Sequence, residues 1–373
     1  MASHSSVHPT RAYQTHRNPL HFPEVVTLIS KAVNRALPSQ YRPYDKVAVL
    51  MMHWDNDTLG SKPLQARLGA IFESQFHYTV EHFAIPAPPG AGNPGMQMMD
   101  RIIEFTHTYD GPNNLMIYVY SGYASSGPSY SECLLQSGSF PRRSRTLLGH
   151  DSVSRNEGSP IDWLSYRAMA DTTEGRTFFL FDSCFAAASR IQAAEIEAEY
   201  LAASATDIRA MGRKNNRLTH RFTELLRESE GRPMTVATYH SHLVSRMNSP
   251  EHRLENVPLH IQPHTYGSIV LAPLTDTKTQ DLLETKPLPC TGRVLISIHL
   301  KCDDAVPNVK EFEDHLLAQI GTNGPEIKIV GLFDAKPALL LLTLPTDVWN
   351  LMEENENIGF VGHLDGGANM LLS

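Results

Sequence analysis

The sequence predicts an α/β protein: a mainly parallel central sheet flanked by helices, followed by a smaller α+β unit. Three observations carry this. Nearly continuous apolar runs of strand length, "KVAVLMMHW", "NNLMIYVYSGY" and "TFFLFDSC", have the composition of strands covered on both faces. Between them stand segments whose apolar residues recur at helical spacing. A polar stretch, "APLTDTKTQDLLETKPLPC", then separates this alternation from a second pattern of strands and helices.

Taken in order, residues 1–44 read as a tail followed by the helix "FPEVVTLISKAVNRAL", which "SQYRPYD" breaks. The strand "KVAVLMMHW" opens the main domain, assigned to residues 45–274. Leu64, Leu68, Ile71 and Phe72 repeat at i, i+4, i+7 and i+8, an amphipathic helix, and "YTVEHFAIP" is the next strand. The breaker-rich loop "IPAPPGAGNPG" leads to the helix "MQMMDRIIEFTHTY" and the strand "NNLMIYVYSGY". Residues 124–162, rich in Ser, Gly and Arg, read as loop with Cys133 in a short apolar island. The helix "WLSYRAMADTT", the strand "TFFLFDSC" and a helix from about Ala186 complete the alternation.

Residues 275–289 are the linker, and a second domain covers 290–373. Its elements are the strand "RVLISIHL", the helix "VPNVKEFEDHLLAQI", the strands "EIKIVGLF" and "ALLLLTL", a helix beginning at Pro345, and the strand "IGFVGHL". The order β-α-β-β-α-β is that of a ferredoxin-like α+β sandwich. No cluster of chemically active residues stands out in it.

Composition narrows the function classes. At 373 residues and 41% hydrophobic content the chain can bury a sizeable core, and its net charge of −8 offers no general attraction to nucleic acid or to an anionic membrane. No apolar run reaches the roughly 18 residues of a spanning helix, and the first residues lack the apolar centre of a secretory signal. A cytoplasmic protein is expected. The four cysteines show no CxxC pair, disulfide framework or zinc spacing, and Asp55 and Asp57 in "DNDTLG" read as a turn rather than a cation loop. No metal or cofactor is expected.

In parallel sheets chemistry sits at the carboxyl ends of the strands, and two of those ends carry polar punctuation, Tyr120-Ser121-Gly122-Tyr123 and Asp182-Ser183-Cys184. On these segments the chain resembles the caspase and metacaspase superfamily of cysteine peptidases, in the form found in filamentous fungi. That family ends one strand in Tyr-Ser-Gly-His-Gly or Tyr-Ala-Gly-His, whose histidine is the base. It ends a later one in Asp-Ser-Cys or Asp-Cys-Cys, whose cysteine is the nucleophile. The resemblance runs from about Asp45 to Leu274. It takes in "YLAASATDIRAMGRKNNRLTHRFTELLRE", similar to the family's later strand and substrate-side loop, and "YGSIVLAPL", similar to its closing strand.

The resemblance implies a caspase-like sheet in which Cys184 is the nucleophile, Gly122 lends a backbone N–H to the oxyanion, and Asp182 faces a basic P1 side chain. Read without it, Cys184 is a small buried hydrophobe and Asp182 a carboxylate bonded to loop amides. The departure lies at Tyr123, where the family has histidine, and at Phe185-Ala186-Ala187, where metacaspases have His-Ser-Gly. A phenol with an ordinary pKa of about 10 is a poor base at neutral pH, and an unassisted thiol is only a few per cent ionised at pH 7.

Two readings follow. In one, the protein is an impaired or inactive peptidase homologue serving as a regulatory or interaction domain for a protein partner. In the other, it is a working cysteine endopeptidase with basic P1 preference whose substitute base comes from His150, His240 or His242, among the 18 histidines.

Overall fold

The computed structural model describes residues 18–36, 44–87, 92–126, 133–137, 160–163, 165–166, 173–183, 198–203, 217–247, 249–254, 256–263, 266–274, 292–301, 314 and 326–365. The mixed α/β architecture has a mainly parallel central sheet flanked by helices. Its strands are β1 (Lys46–Trp54), β2 (Thr79–Ile85), β3 (Asn114–Ser121), β7 (Arg176–Asp182), β8 (Glu199–Ala202) and β10 (Leu259–Ile261), arranged β10-β8-β7-β3-β1-β2. All neighbours are parallel except β10, which runs antiparallel to β8. The strands expected to end near His53, Gly122 and Cys184 are the adjacent β1, β3 and β7.

Two-sided burial explains the unbroken apolar runs. Ala48, Leu50, Met52 and Trp54 of β1 point into one core with Met98, Ile102 and Phe105 of α3 (Pro94–Tyr109). The alternate residues Val47, Val49 and Met51 join a second core on the opposite face. There they meet Leu68, Phe72 and Phe76 of α2 (Ser61–Phe76), Phe222 and Leu226 of α4 (Leu218–Ser229), and Tyr239 of α5 (Val236–Arg246). Local signals set the helix starts. Asn93 caps α3 by accepting from the N–H groups of Gly95 and Met96, with Pro94 entering the first turn. The Asp57 carboxylate accepts from Ser61 N–H at 2.8 Å, while Asp55 accepts from Ala87 N–H at 2.9 Å. Asp57 thus holds the turn into α2, and Asp55 ties the end of β1 to the segment after β2.

Two segments differ from expectation. Within the stretch read as loop, β4 (Tyr123–Ser126), β5 (Cys133–Gln136) and β6 (Ile161–Asp162) form a small antiparallel sheet. Strands of four and two residues are too short to display a period. Cys133 is fully buried there, and burial pushes its thiol well above the ordinary range. In "YGSIVLAPL" only Val270 and Leu271 form a strand, β11, which pairs with β9 (Met234–Thr235) outside the central sheet. The closing strand of the central sheet is β10. Most of the helix expected at "WLSYRAMADTT" and all of the helix expected from Ala186 lie outside the described residues.

The C-terminal sheet, ordered β13-β14-β12-β15, comprises β12 (Gly292–Leu300), β13 (Lys328–Phe333), β14 (Ala338–Pro345) and β15 (Ile358–Asp365), with every neighbour antiparallel. Val294, Ile296, Ile298 and Leu300 alternate into a third core with Leu340, Leu342 and Leu344. The short helix α6 (Thr346–Asn350) follows β14 and adds Val348. The helix expected over "VPNVKEFEDHLLAQI" lies outside the described residues apart from Asp314.

The helix grouped by sequence with the N-terminal tail, α1 (Phe22–Ala36), packs in this third core through Val25, Val26, Ile29 and Val33. Leu20 N–H donates to His299 O at 3.1 Å and Lys301 N–H to Leu20 O at 2.9 Å. Arg35 at the end of α1 donates to Leu351 O at 2.9 Å. The same core reaches α5 through Ala237, so the C-terminal sheet is seated on the α/β layer as well as tethered to it. No helix among the described residues is long and apolar enough to cross a membrane.

Candidate functional site

The register places the two polar strand ends side by side. Ser121 at the end of β3 is directly opposite Asp182 at the end of β7, and Met52 of β1 is opposite Tyr120, so His53 is next in line with Ser121. All three side chains belong to the alternation that faces α2 and α4. A row of polar groups therefore closes the carboxyl edge on that face.

Asp182 is buried, and a buried carboxylate needs both a counter-ion and donors. Arg217, just before α4, supplies the first: Nε donates to Asp182 Oδ2 at 3.1 Å. The Thr219 N–H donates to the same oxygen at 3.3 Å. The guanidinium also donates to Ser61 Oγ at 3.2 Å, Leu59 O at 3.4 Å and Asp182 O at 3.5 Å. Ser121 Oγ is 3.2 Å from Thr219 Oγ1. The carboxylate that the resemblance assigns to a basic substrate side chain is thus held by an arginine of the same chain and by an N–H in the first turn of α4, where the reading without the resemblance expected loop amides.

Gly122 N–H donates to Asp182 O at 3.3 Å, tying the turn after β3 to β7. A Cβ on Gly122 would lie 2.7 Å from Tyr120 Oη, so any side chain there would have to displace that hydroxyl. The Tyr120 hydroxyl in turn donates to Tyr123 O at 2.7 Å. Tyr123 itself is buried at the start of β4. Cys184 lies outside the described residues, as does His150.

His240 and His242 are both buried in α5. The His240 Nε2–H donates to Pro258 O at 2.9 Å, which leaves Nδ1 to accept from Asn350 Nδ2 at 2.8 Å. Its ring stacks on that of His260 at a centroid distance of 5.5 Å. Burial, reinforced by His260, pushes the His240 imidazole down to about 3. His260 meets Glu199 at 2.6 Å, and Glu199 also accepts from Ser268 Oγ at 2.6 Å and Ile269 N–H at 2.5 Å. This cluster bonds β8, β10, α5 and α6 to one another.

Sequence reasoning missed His53. Gln65 of α2 donates its amide to Met52 O at 2.6 Å, which turns its oxygen toward His53 Nδ1 at 2.9 Å. Nδ1 therefore carries the hydrogen, and burial lowers the imidazole pKa, so the ring is neutral at pH 7. The available signal was a lone histidine at the carboxyl end of the first apolar strand. Two strand spacings, about 10 Å, separate its backbone from β7.

Among the described residues no group of three or more His, Cys, Asp or Glu is arranged to hold a metal ion. No model of a known protein family matches the chain. No curated protein matches it either.

Proposed function

We propose that the chain is a caspase-like, metacaspase-related protein that has given up peptide hydrolysis and serves as a regulatory or interaction domain for a protein partner in the cytoplasm. The observation that carries this reading is the state of the two motif segments at the ends of β3 and β7. They are adjacent in register, as a nucleophile strand and a base strand would be. Yet the base position is the buried Tyr123, the Gly122 N–H is bonded to Asp182 O, and the Asp182 charge is neutralised by Arg217.

The same arrangement counts against a working endopeptidase with basic P1 preference, since that preference needs a carboxylate without a counter-ion. His240 is engaged on both ring nitrogens. For the C-terminal sheet, the antiparallel order β13-β14-β12-β15 supports a ferredoxin-like sandwich as an accessory module.

The deciding experiment compares the purified full chain with Cys184→Ala on fluorogenic peptides carrying Arg, Lys or Asp at P1. Equal background rates are expected, because a positioned acid-base group is worth on the order of 10²- to 10⁴-fold. Turnover that vanishes in Cys184→Ala would overturn the reading and turn the search for a base toward His53 and His150.

A further inference from the structure

A groove on the C-terminal unit belongs to none of the chemistry above. It encloses about 610 Å³ between α6, the turn after it and β15. Its walls are Trp349, Met352 and Phe360, and its rim carries Glu353, Glu354 and Glu356. The Trp349 and Phe360 rings stand 6.0 Å apart. Phe360 is 48% exposed and its neighbour Val361 53% exposed, at the point where the pairing of β15 with β12 shifts register. Large apolar side chains left open on an outer strand mark a contact surface. Among the described residues Glu353 takes one ion pair, with Lys31 at 3.6 Å, and Glu354 and Glu356 take none.

From this geometry we infer that the groove docks a basic peptide segment of a partner protein, one that presents Arg or Lys beside an apolar residue. Aromatic faces attract a cationic side chain while covering its aliphatic stem, and the acidic rim selects positive charge over negative. A second copy of this chain is disfavoured as occupant, because a two-fold contact would set this acidic rim against itself in a chain of net charge −8. The inference does not depend on the peptidase reading, since no groove residue belongs to the carboxyl edge of the central sheet.

The test uses the full-length chain against an array of short fluorescein-labelled peptides, each with a central Arg, Lys or Glu flanked by Leu or Phe, read by fluorescence polarisation. Basic members should bind with Kd on the order of 10–100 μM, the range of a small, mostly rigid site, and Glu members should not. The Glu354→Gln/Glu356→Gln variant, whose exposed positions leave folding intact as checked by circular dichroism, should weaken basic members at least about tenfold. Phe360→Ser should do the same. Equal binding of acidic and basic members, no binding by any member, or undiminished binding by both variants overturns the proposal. So does a concentration-dependent dimer in sedimentation that Phe360→Ser abolishes, because the groove would then be a contact between copies.

Discussion

Arg217 Nε meets Asp182 Oδ2 at 3.1 Å with both side chains almost fully buried, so the acid that ends β7 carries its counter-ion from the start of α4. Truncating one partner strands the other charge in the interior. Arg217→Met is therefore expected to cost about 3–5 kcal/mol of stability. Adding Asp182→Asn should recover a good part of that loss. Urea unfolding of the two single variants and the double variant checks this, and simple additivity would show that the pair is not coupled.

Gly122→Ala pushes a methyl group against the Tyr120 hydroxyl, which must then leave Tyr123 O. A buried hydroxyl and a buried carbonyl lose their bond, at a cost of about 1–3 kcal/mol. Tyr120→Phe removes the obstructing oxygen. The double variant should accordingly be more stable than Gly122→Ala alone, a reversal readable in thermal melts.

His240 makes stability depend on pH. Above its ordinary pKa of 6.5 neither the folded nor the unfolded imidazole is protonated. Below 6.5 the unfolded chain takes up a proton that the folded chain refuses until about pH 3. Stability should thus fall by about 1.4 kcal/mol per pH unit as pH drops through that window, and level off beneath it. Asp347, buried nearby and bonded to Thr238, works in the opposite direction, since burial raises its pKa above 3.8. Comparing urea midpoints of the parent and His240→Gln between pH 7 and 5 isolates the histidine: the variant should show the shallower slope.

Ile29 is fully buried between α1 and the C-terminal sheet. Ile29→Ala should destabilise by about 2–5 kcal/mol. Trp54 and Trp163 lie in the other core, while Trp349 packs against the core that Ile29 serves. A shift in Trp349 emission at lower denaturant than in the parent would register the loss. An unchanged transition would mean that α1 contributes nothing to the sheet.

What the sequence determined by itself was local. The runs that became β1, β3 and β7 were legible because burial on both faces leaves no polar alternation. The helices α1, α2 and α3 were legible because one apolar stripe recurs at 3.6 residues, and the polar strand ends at Ser121 and Asp182 were legible as interruptions of those runs. Tertiary structure alone decided which surfaces answer one another. Nothing in the period of α1 names β12, more than 250 residues on, as its partner, and nothing beside Asp182 shows that Arg217 will neutralise it. The stretch "YGSIVLAPL" carries strand composition, yet β10 takes the edge of the central sheet, while Ser268 and Ile269 within that stretch are held by the buried Glu199. Periodicity records how much of a segment is hidden from water, whereas the identity of what hides it is set by packing and charge pairing across the whole chain.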